Sequence, residues 1–227
     1  MQLTISDVAQ LCEVSENQVY RWIQEDGLPA EQVADRFRVN PAELLEWTTA
    51  RKLKVSPAIF QKMNGDSIGD AGLAEALKIG GVAHDVKGDD RESVLSRIVE
   101  SLPLPDGFHR PSLVQLFLSR EAMGGTAIGD GIAIPHPNKP VVLPGARRVM
   151  RLCFLAQPIE FGAADGKPVD TLFLLICPTV RDHLQLLARL ATVLRDESFR
   201  GMLREKPSAE LIINEVQRLE GTFQESA

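Results

Sequence analysis

Two runs of the chain, Val149 to Ala156 and Val169 to Cys177, are dense in β-forming apolar residues and are joined across the turn dipeptide Asp165-Gly166. Segments of that length and composition are buried strands, forming a hairpin or lying as near neighbours. Helical patterns stand on both sides of them in the sequence. Asp90 caps a helix with apolar positions Val94, Leu95, Ile98, Val99 and Leu102, and a second helix runs from Pro111 to about Met123. His183 to Leu194 places Leu184, Leu187, Ala188, Ala191 and Leu194 on one helical face, and Ser208 opens a last helix ending near Leu219. Between them Gly131-Ile132-Ala133-Ile134-Pro135-His136 is a short β-rich piece ended by proline. Strands interleaved with helices make this an α/β sandwich, a mixed sheet flanked by helices.

The first 55 residues have a different texture. Thr4 with Asp7, stapled by Leu3 and Val8, starts one helix, and Ser15 with Gln18, stapled by Val14 and Val19, starts a second from Glu16 to about Glu25. Gly27 and Pro29 stop it. Two short helices joined by Glu13-Val14-Ser15 form a helix-turn-helix pattern. Arg36-Phe37-Arg38-Val39 alternates as a short strand with both arginines on one face, and Asn40-Pro41 opens a third helix ending near Trp47. The core of this small, mainly helical winged unit is Val8, Leu11, Val19, Trp22, Ile23, Phe37 and Trp47. From Ser56 to Asp90 glycine recurs at 65, 69, 72, 80, 81 and 88, with one helix-like patch from Ala71 to Lys78. The expected division is therefore 1–55, a linker over 56–70, and 71–227.

At 227 residues with 44% hydrophobic and 25% charged residues, the chain is globular, and no apolar run is long enough to span a bilayer. Neither a leader segment nor membrane insertion is expected, which places the protein in the cytoplasm. Cys12, Cys153 and Cys177 are widely spaced and read as reduced, buried thiols. The net charge of −6 gives no overall cationic field, so any nucleic-acid contact must be local.

Four histidines exist, and His136 and His183 have informative surroundings. His136 ends a hydrophobic strand after a glycine-rich turn, where a strand hands its last side chain to a crevice. His183 begins a helix, beside free N–H groups that favour anions. Arg120 to His136, reading Arg-Glu-Ala-Met-Gly-Gly-Thr-Ala-Ile-Gly-Asp-Gly-Ile-Ala-Ile-Pro-His, resembles the phosphorylation-site signature of the fructose/mannitol/nitrogen-type enzyme IIA of the bacterial sugar phosphotransferase system. The likeness continues through Gln157 to Phe161, Asp165 to Asp170, Cys177-Pro178-Thr179 and His183-Leu184 with Leu187, and covers roughly residues 70 to 220. It implies that His136 accepts a phosphoryl group, that His183 is the second active-site histidine, and that Arg120 helps to hold the phosphoryl group. The implied activity is that of a phosphotransferase, a phosphocarrier in sugar transport or nitrogen regulation. Its implied partners are a histidine phosphocarrier protein as donor and an enzyme IIB or a regulatory target as acceptor. No cofactor or metal is called for, because the phosphoryl passes directly between side chains.

The residues suit these roles. A neutral imidazole nitrogen is a competent nucleophile near neutral pH, and phosphoryl transfer asks mainly for in-line positioning and neutralisation of the equatorial oxygens. Arg120 offers a planar fork of donors for that purpose. Where many family members have Gly-Lys after the histidine, this chain has Pro137-Asn138-Lys139-Pro140, which stiffens the loop and removes one amide donor. Arg147, Arg148 and Arg181 are expected to be solvated surface charges.

The N-terminal stretches Leu3 to Ala9, Val14-Ser15, Val19 to Trp22, Leu28-Pro29 and Arg36 to Val39 resemble the excisionase-like, MerR-related helix-turn-helix. That resemblance implies DNA as a partner, with Ser15, Asn17, Gln18 and Arg21 facing the major groove and Arg36 and Arg38 on flanking phosphates. Residues 1 to 60 hold 6 Lys or Arg and 9 Asp or Glu, a balance of 6 − 9 = −3. DNA binding is then expected to need a homodimer reading two half-sites, and a protein-docking module is the competing use. Three functions stay open: a phosphocarrier, a transcription regulator that senses phosphorylation through the second domain, and a hydrolase or metalloprotein. The last is disfavoured because no carboxylate lies at ligand spacing to either histidine apart from Asp182, which is adjacent to His183 and so points elsewhere on a helix.

Overall fold

The computed structural model describes residues 3–33, 36–51, 53, 55–56, 72–104, 108–137, 140–143 and 147–224. Its N-terminal unit runs β1 (Leu3–Thr4), α1 (Ile5–Cys12), α2 (Glu16–Gln24), β2 (Glu31–Val33), β3 (Arg36–Val39) and α3 (Pro41–Ala50). Thr4 caps α1 as its spacing predicts: the hydroxyl accepts from the Asp7 N–H at 3.1 Å, and the Asp7 carboxylate accepts from the Thr4 N–H at 2.9 Å. The Ser15 hydroxyl likewise accepts from the Gln18 N–H at 3.2 Å. Strand β3 is as expected, and two unforeseen strands flank it in the antiparallel order β1-β3-β2. With two and three residues, these are too short for an alternating pattern to register.

The C-terminal unit contains α4 (Leu73–Gly80), β4 (Val82–Val86), α5 (Arg91–Ser101), α6 (Arg110–Met123), β5 (Ala127–Gly129), β6 (Ile132–Ala133), β7 (Val149–Ile159), β8 (Val169–Ile176), α7 (Val180–Val193), α8 (Glu197–Arg204) and α9 (Ala209–Gln224). Five strands form one mixed sheet in the order β4-β7-β8-β6-β5. β7 and β8 are antiparallel neighbours, while β4 runs parallel to β7 and β6 parallel to β8. Along the central pair, Met150, Leu152, Phe154, Phe173 and Leu175 face one helical layer, and Cys153, Leu155, Leu172, Leu174 and Ile176 face the other. Burial on both faces is why nearly every position of these strands is apolar. All three cysteines are free and buried, and burial pushes their thiols up, to about 11 for Cys12 and about 12 for Cys153 and Cys177.

Several expectations need correction. Strand β4 and helix α8 were unforeseen. β4 lies in the segment whose glycines suggested a boundary; a Cβ on Gly80 would sit 2.0 Å from the Met150 carbonyl oxygen, so this glycine permits close approach of α4 to β7. The expected linker lies outside the described residues apart from Ser56, whose N–H donates to the Leu11 carbonyl at 2.6 Å. Helix α7 starts at Val180, and the His183 N–H is already bonded to the Thr179 carbonyl at 3.1 Å, so His183 sits one turn inside rather than at the free N–H groups.

Helix α3 also runs past its expected end near Trp47. The buried Thr48 and Thr49 satisfy their hydroxyls on the Leu44 and Leu45 carbonyls at 2.7 and 2.5 Å, which removes the cost of burying them. Leu44, Leu45, Trp47, Thr48 and Thr49 are all buried, so the buried arc of α3 is wider than one core-facing stripe. A buried arc wider than a single core-facing stripe meets neighbours on two sides. One side packs within the helix-turn-helix unit, where Trp47 meets Trp22, and the other against α7 and β5 of the second unit. Leu45, Thr48 and Thr49 meet Ala188, Ala191 and Thr192 across this seam.

Candidate functional site

The chain leaves β6 at Ala133 and continues along β8 without forming a regular strand: the Leu175 N–H donates to the Pro135 carbonyl at 2.9 Å, and the Ile134 N–H to the Thr126 carbonyl at 3.0 Å. These bonds fix the backbone that carries His136. Nδ1 of His136 lies 2.8 Å from the Ile134 carbonyl oxygen, and Nε2 lies 3.1 Å from Nε of Arg120, in the last turn of α6. A carbonyl only accepts and a guanidinium only donates, so these partners assign the proton to Nδ1 and leave the Nε2 lone pair accepting from Arg120. Arg120 is itself aimed by a bond from Nη1 to the Gly124 carbonyl at 2.5 Å. The His183 ring, on α7, lies 4.7 Å from that of His136, tilted by 44°. His136 is only 3% exposed, with Arg120 in front of its Nε2.

The three side chains singled out from the sequence as catalytic therefore meet, and three supports that the sequence reading missed hold them. Glu121, buried beside Arg120, accepts from the Thr126 N–H at 3.1 Å and from the Thr126 hydroxyl, which ties the Gly124-Gly125 loop back onto α6. Burial pushes its carboxyl up, opposed by the Thr126 bonds and by the charge of Arg120. Arg148 is no solvated surface charge: it donates to Asp182 at 2.6 and 2.8 Å, with 14% of its side chain exposed. Asp182, paired there and bonded to Thr179, fixes the first turn of α7, which carries His183. Arg200, buried on α8, donates to Asp130 and to the Leu194 carbonyl, each at 2.6 Å. It holds the turn Gly129-Asp130-Gly131, three successive residues at φ of 87°, 53° and 79°. Only the adjacency of Glu121 to Arg120 was a sequence signal; the other supports cross long stretches of chain.

A neutral imidazole with its lone pair turned to a guanidinium, flanked by a second imidazole, is equipped to take and hold an anionic electrophile. Among the described residues no group of three His, Cys, Asp or Glu is placed to hold a metal ion, and no helix is long and apolar enough to cross a membrane.

On the N-terminal unit, Ser15, Asn17 and Arg21 are exposed along α2, Gln18 is half-buried, and Arg21 pairs with Glu25 at 3.3 Å. Tyr20, 40% exposed on the same helix and edge-on to Phe37, is an added surface residue that the sequence reading left out. Arg36 is exposed and Arg38 half-buried on β3, where Arg38 stands opposite Glu31.

Comparison with known proteins gives a match in each part of the chain. The family model for the phosphoenolpyruvate-dependent sugar phosphotransferase system, EIIA 2, matches residues 75–218, and a helix-turn-helix domain model matches 3–52. A nitrogen regulatory protein of Bradyrhizobium diazoefficiens is 35% identical over 130 residues, 56% of this chain and 82% of that protein. One of Pseudomonas aeruginosa is 34% identical over 145 residues, 62% of this chain and 91% of that protein. The crystal structure of the nitrogen regulatory protein IIA-Ntr from Neisseria meningitidis superposes with a TM-score of 0.56 at 24% identity, covering 63% of this chain and 98% of that one, a likeness of fold.

Proposed function

This chain belongs to the EIIA 2 family of the phosphoenolpyruvate-dependent sugar phosphotransferase system, and we propose that it is a phosphocarrier whose Nε2 of His136 accepts a phosphoryl group from a histidine phosphocarrier protein. The observation that carries this reading is the pairing of His136 Nε2 with Arg120 while Nδ1 is tied to the Ile134 carbonyl. In the transfer, the Nε2 lone pair attacks phosphorus in line, the Nε2–P bond forms, and the donor's N–P bond breaks with its electron pair returning to the donor imidazole. The proton stays on Nδ1, which donates it to the Ile134 carbonyl oxygen. Arg120, displaced from the lone pair, turns its donors to the phosphoryl oxygens, where charge-assisted bonds are stronger than the one it gives up. His183 supplies the second ring beside those oxygens. The product either passes the group to an acceptor such as an enzyme IIB or reports its own state. Incubation with a phosphorylated carrier protein and phosphoenolpyruvate tests the reading: one acid-labile phosphoryl group per chain supports it, and no incorporation refutes it.

A second reading adds a DNA reader, with the division 1–55 and 71–227 as two working domains. It is favoured by the exposed face of α2 and by the arginine-bearing β3 beside it. Selection from a random DNA pool with the full-length protein decides it. An enriched site supports DNA binding, and none in either phosphorylation state makes the unit a docking module.

A further inference from the structure

Between the two units lies a cleft of about 270 Å³. One wall is Pro29, Glu43, Trp47, Ala50 and Arg51 of the N-terminal unit; the other is Arg120 with residues 123–128, which lead from α6 through β5 towards His136. Arg120 thus belongs at once to this cleft and to the phosphoacceptor. Arg51 is held over the Trp47 ring, 4.3 Å from its centroid, and donates to the Asp26 carbonyl, so its guanidinium is positioned rather than loose. Met123, opposite, is 72% exposed, a large apolar side chain left in water at the rim.

We propose that Arg51, Trp47 and Met123 form part of the docking surface for the phosphohistidine-bearing donor protein, so that the helix-turn-helix unit supplies one wall of the phosphotransfer interface. The proposal rests on the phosphocarrier reading above and adds a surface to it. A stable protein–protein contact covers about 800 Å² per partner, a disc of roughly 16 Å radius. A donor that brings its phosphoryl group to Nε2 is centred beside Arg120, and a footprint of that size spans the cleft Arg120 lines. Among the described residues that line it, two guanidiniums against the one carboxylate of Glu43 leave the cleft net cationic, which suits a partner carrying a phosphoryl charge of about −1.5 to −2. The aromatic, Met and Arg lining is the composition enriched in interfaces. The family match begins at residue 75, so this wall is an addition outside the family domain. Since α3 also packs on α7 and β5, donor docking and the seat of the helix-turn-helix unit are linked reciprocally.

The test measures initial rates of transfer from a ³²P-labelled histidine phosphocarrier protein to full-length wild type, Arg51→Glu, Arg51→Lys and Met123→Asp. Reversing a rim charge acts mainly on association, so Arg51→Glu is expected to raise the half-saturating donor concentration about tenfold with the saturated rate kept. Arg51→Lys restores most of the loss, and Met123→Asp, which leaves the Trp47 stack intact, raises the same quantity. Half-saturation at the wild-type concentration in both Arg51→Glu and Met123→Asp overturns the proposal. Phosphoramidate, too small to need a docking surface, is run in parallel on wild type. If it labels the protein while no carrier protein does, the docking surface is wrong and the phosphoacceptor stands; if neither labels it, the phosphocarrier reading fails.

Discussion

Removing the Asp130 carboxylate isolates the support of the turn Gly129-Asp130-Gly131 that precedes His136. In Asp130→Ala the Arg200 guanidinium, 8% exposed, loses its 2.6 Å ion pair and keeps only the bond to the Leu194 carbonyl. Breaking a buried pair on one side costs about 3–5 kcal/mol. Asp130 is 21% exposed, so water reaches the orphaned guanidinium and about 2–3 kcal/mol is the expected loss. Lys167, 60% exposed and 3.2 Å from the other Asp130 oxygen, contributes little to that figure. For a chain of this length, each kcal/mol moves the midpoint by about 2–4 °C, which gives a fall of roughly 4–12 °C in calorimetry. Asp130→Asn, which keeps a carbonyl acceptor and tolerates φ of 53°, should lose less. The double variant Asp130→Ala/Arg200→Met leaves no charge stranded, so it should lose less than the sum of its parts by about 1–2 kcal/mol. A midpoint within 1 °C of wild type for Asp130→Ala, or strict additivity of the pair, would refute the reasoning.

Arg120→Ala and His183→Ala should each be phosphorylated about 10²- to 10³-fold more slowly, still at His136, in transfer assays with radiolabelled donor; wild-type rates would remove them from the site. Glu121 has its carboxyl pushed up by burial, so the stability it contributes is full below its ordinary value of 4.5 and is lost as pH rises through the raised value. Thermal midpoints measured against pH should therefore show wild type losing ground to Glu121→Gln as pH rises from the acid side through that window. If the N-terminal unit reads DNA, Arg36→Ala should lower the log–log salt slope by about 0.9 in titrations at several salt concentrations, whereas Arg21→Ala should blunt discrimination between sites.

The sheet centre and the caps were legible because local chemistry decides them. Val149–Ile159 and Val169–Ile176 are apolar on both faces, and Thr4, Asp90 and Ser15 carry their own hydrogen-bond partners three residues on. The meeting of Arg120, His136 and His183 was legible through the family signature, since nothing in their spacing of 16 and 47 residues brings them together (136 − 120 and 183 − 136). What escaped is what tertiary contact decides. β4 and Gly80 owe their conformation to β7, the pairs Asp130–Arg200 and Arg148–Asp182 span 70 and 34 residues, and the second buried face of α3 makes sense only once α7 is beside it.

The central claim, that Nε2 of His136 is the phosphoacceptor while Nδ1 keeps its proton and donates it to the Ile134 carbonyl, is tested most directly by long-range ¹⁵N–¹H NMR of the imidazole rings before and after phosphorylation of the ¹⁵N-labelled full-length protein. The account predicts that the unphosphorylated protein shows His136 as the Nδ1–H tautomer. It predicts that phosphorylation gives a ³¹P coupling on Nε2 of His136 and leaves both nitrogens of His183 uncoupled. A phosphoryl group on Nδ1 of His136, or on either nitrogen of His183, would contradict it.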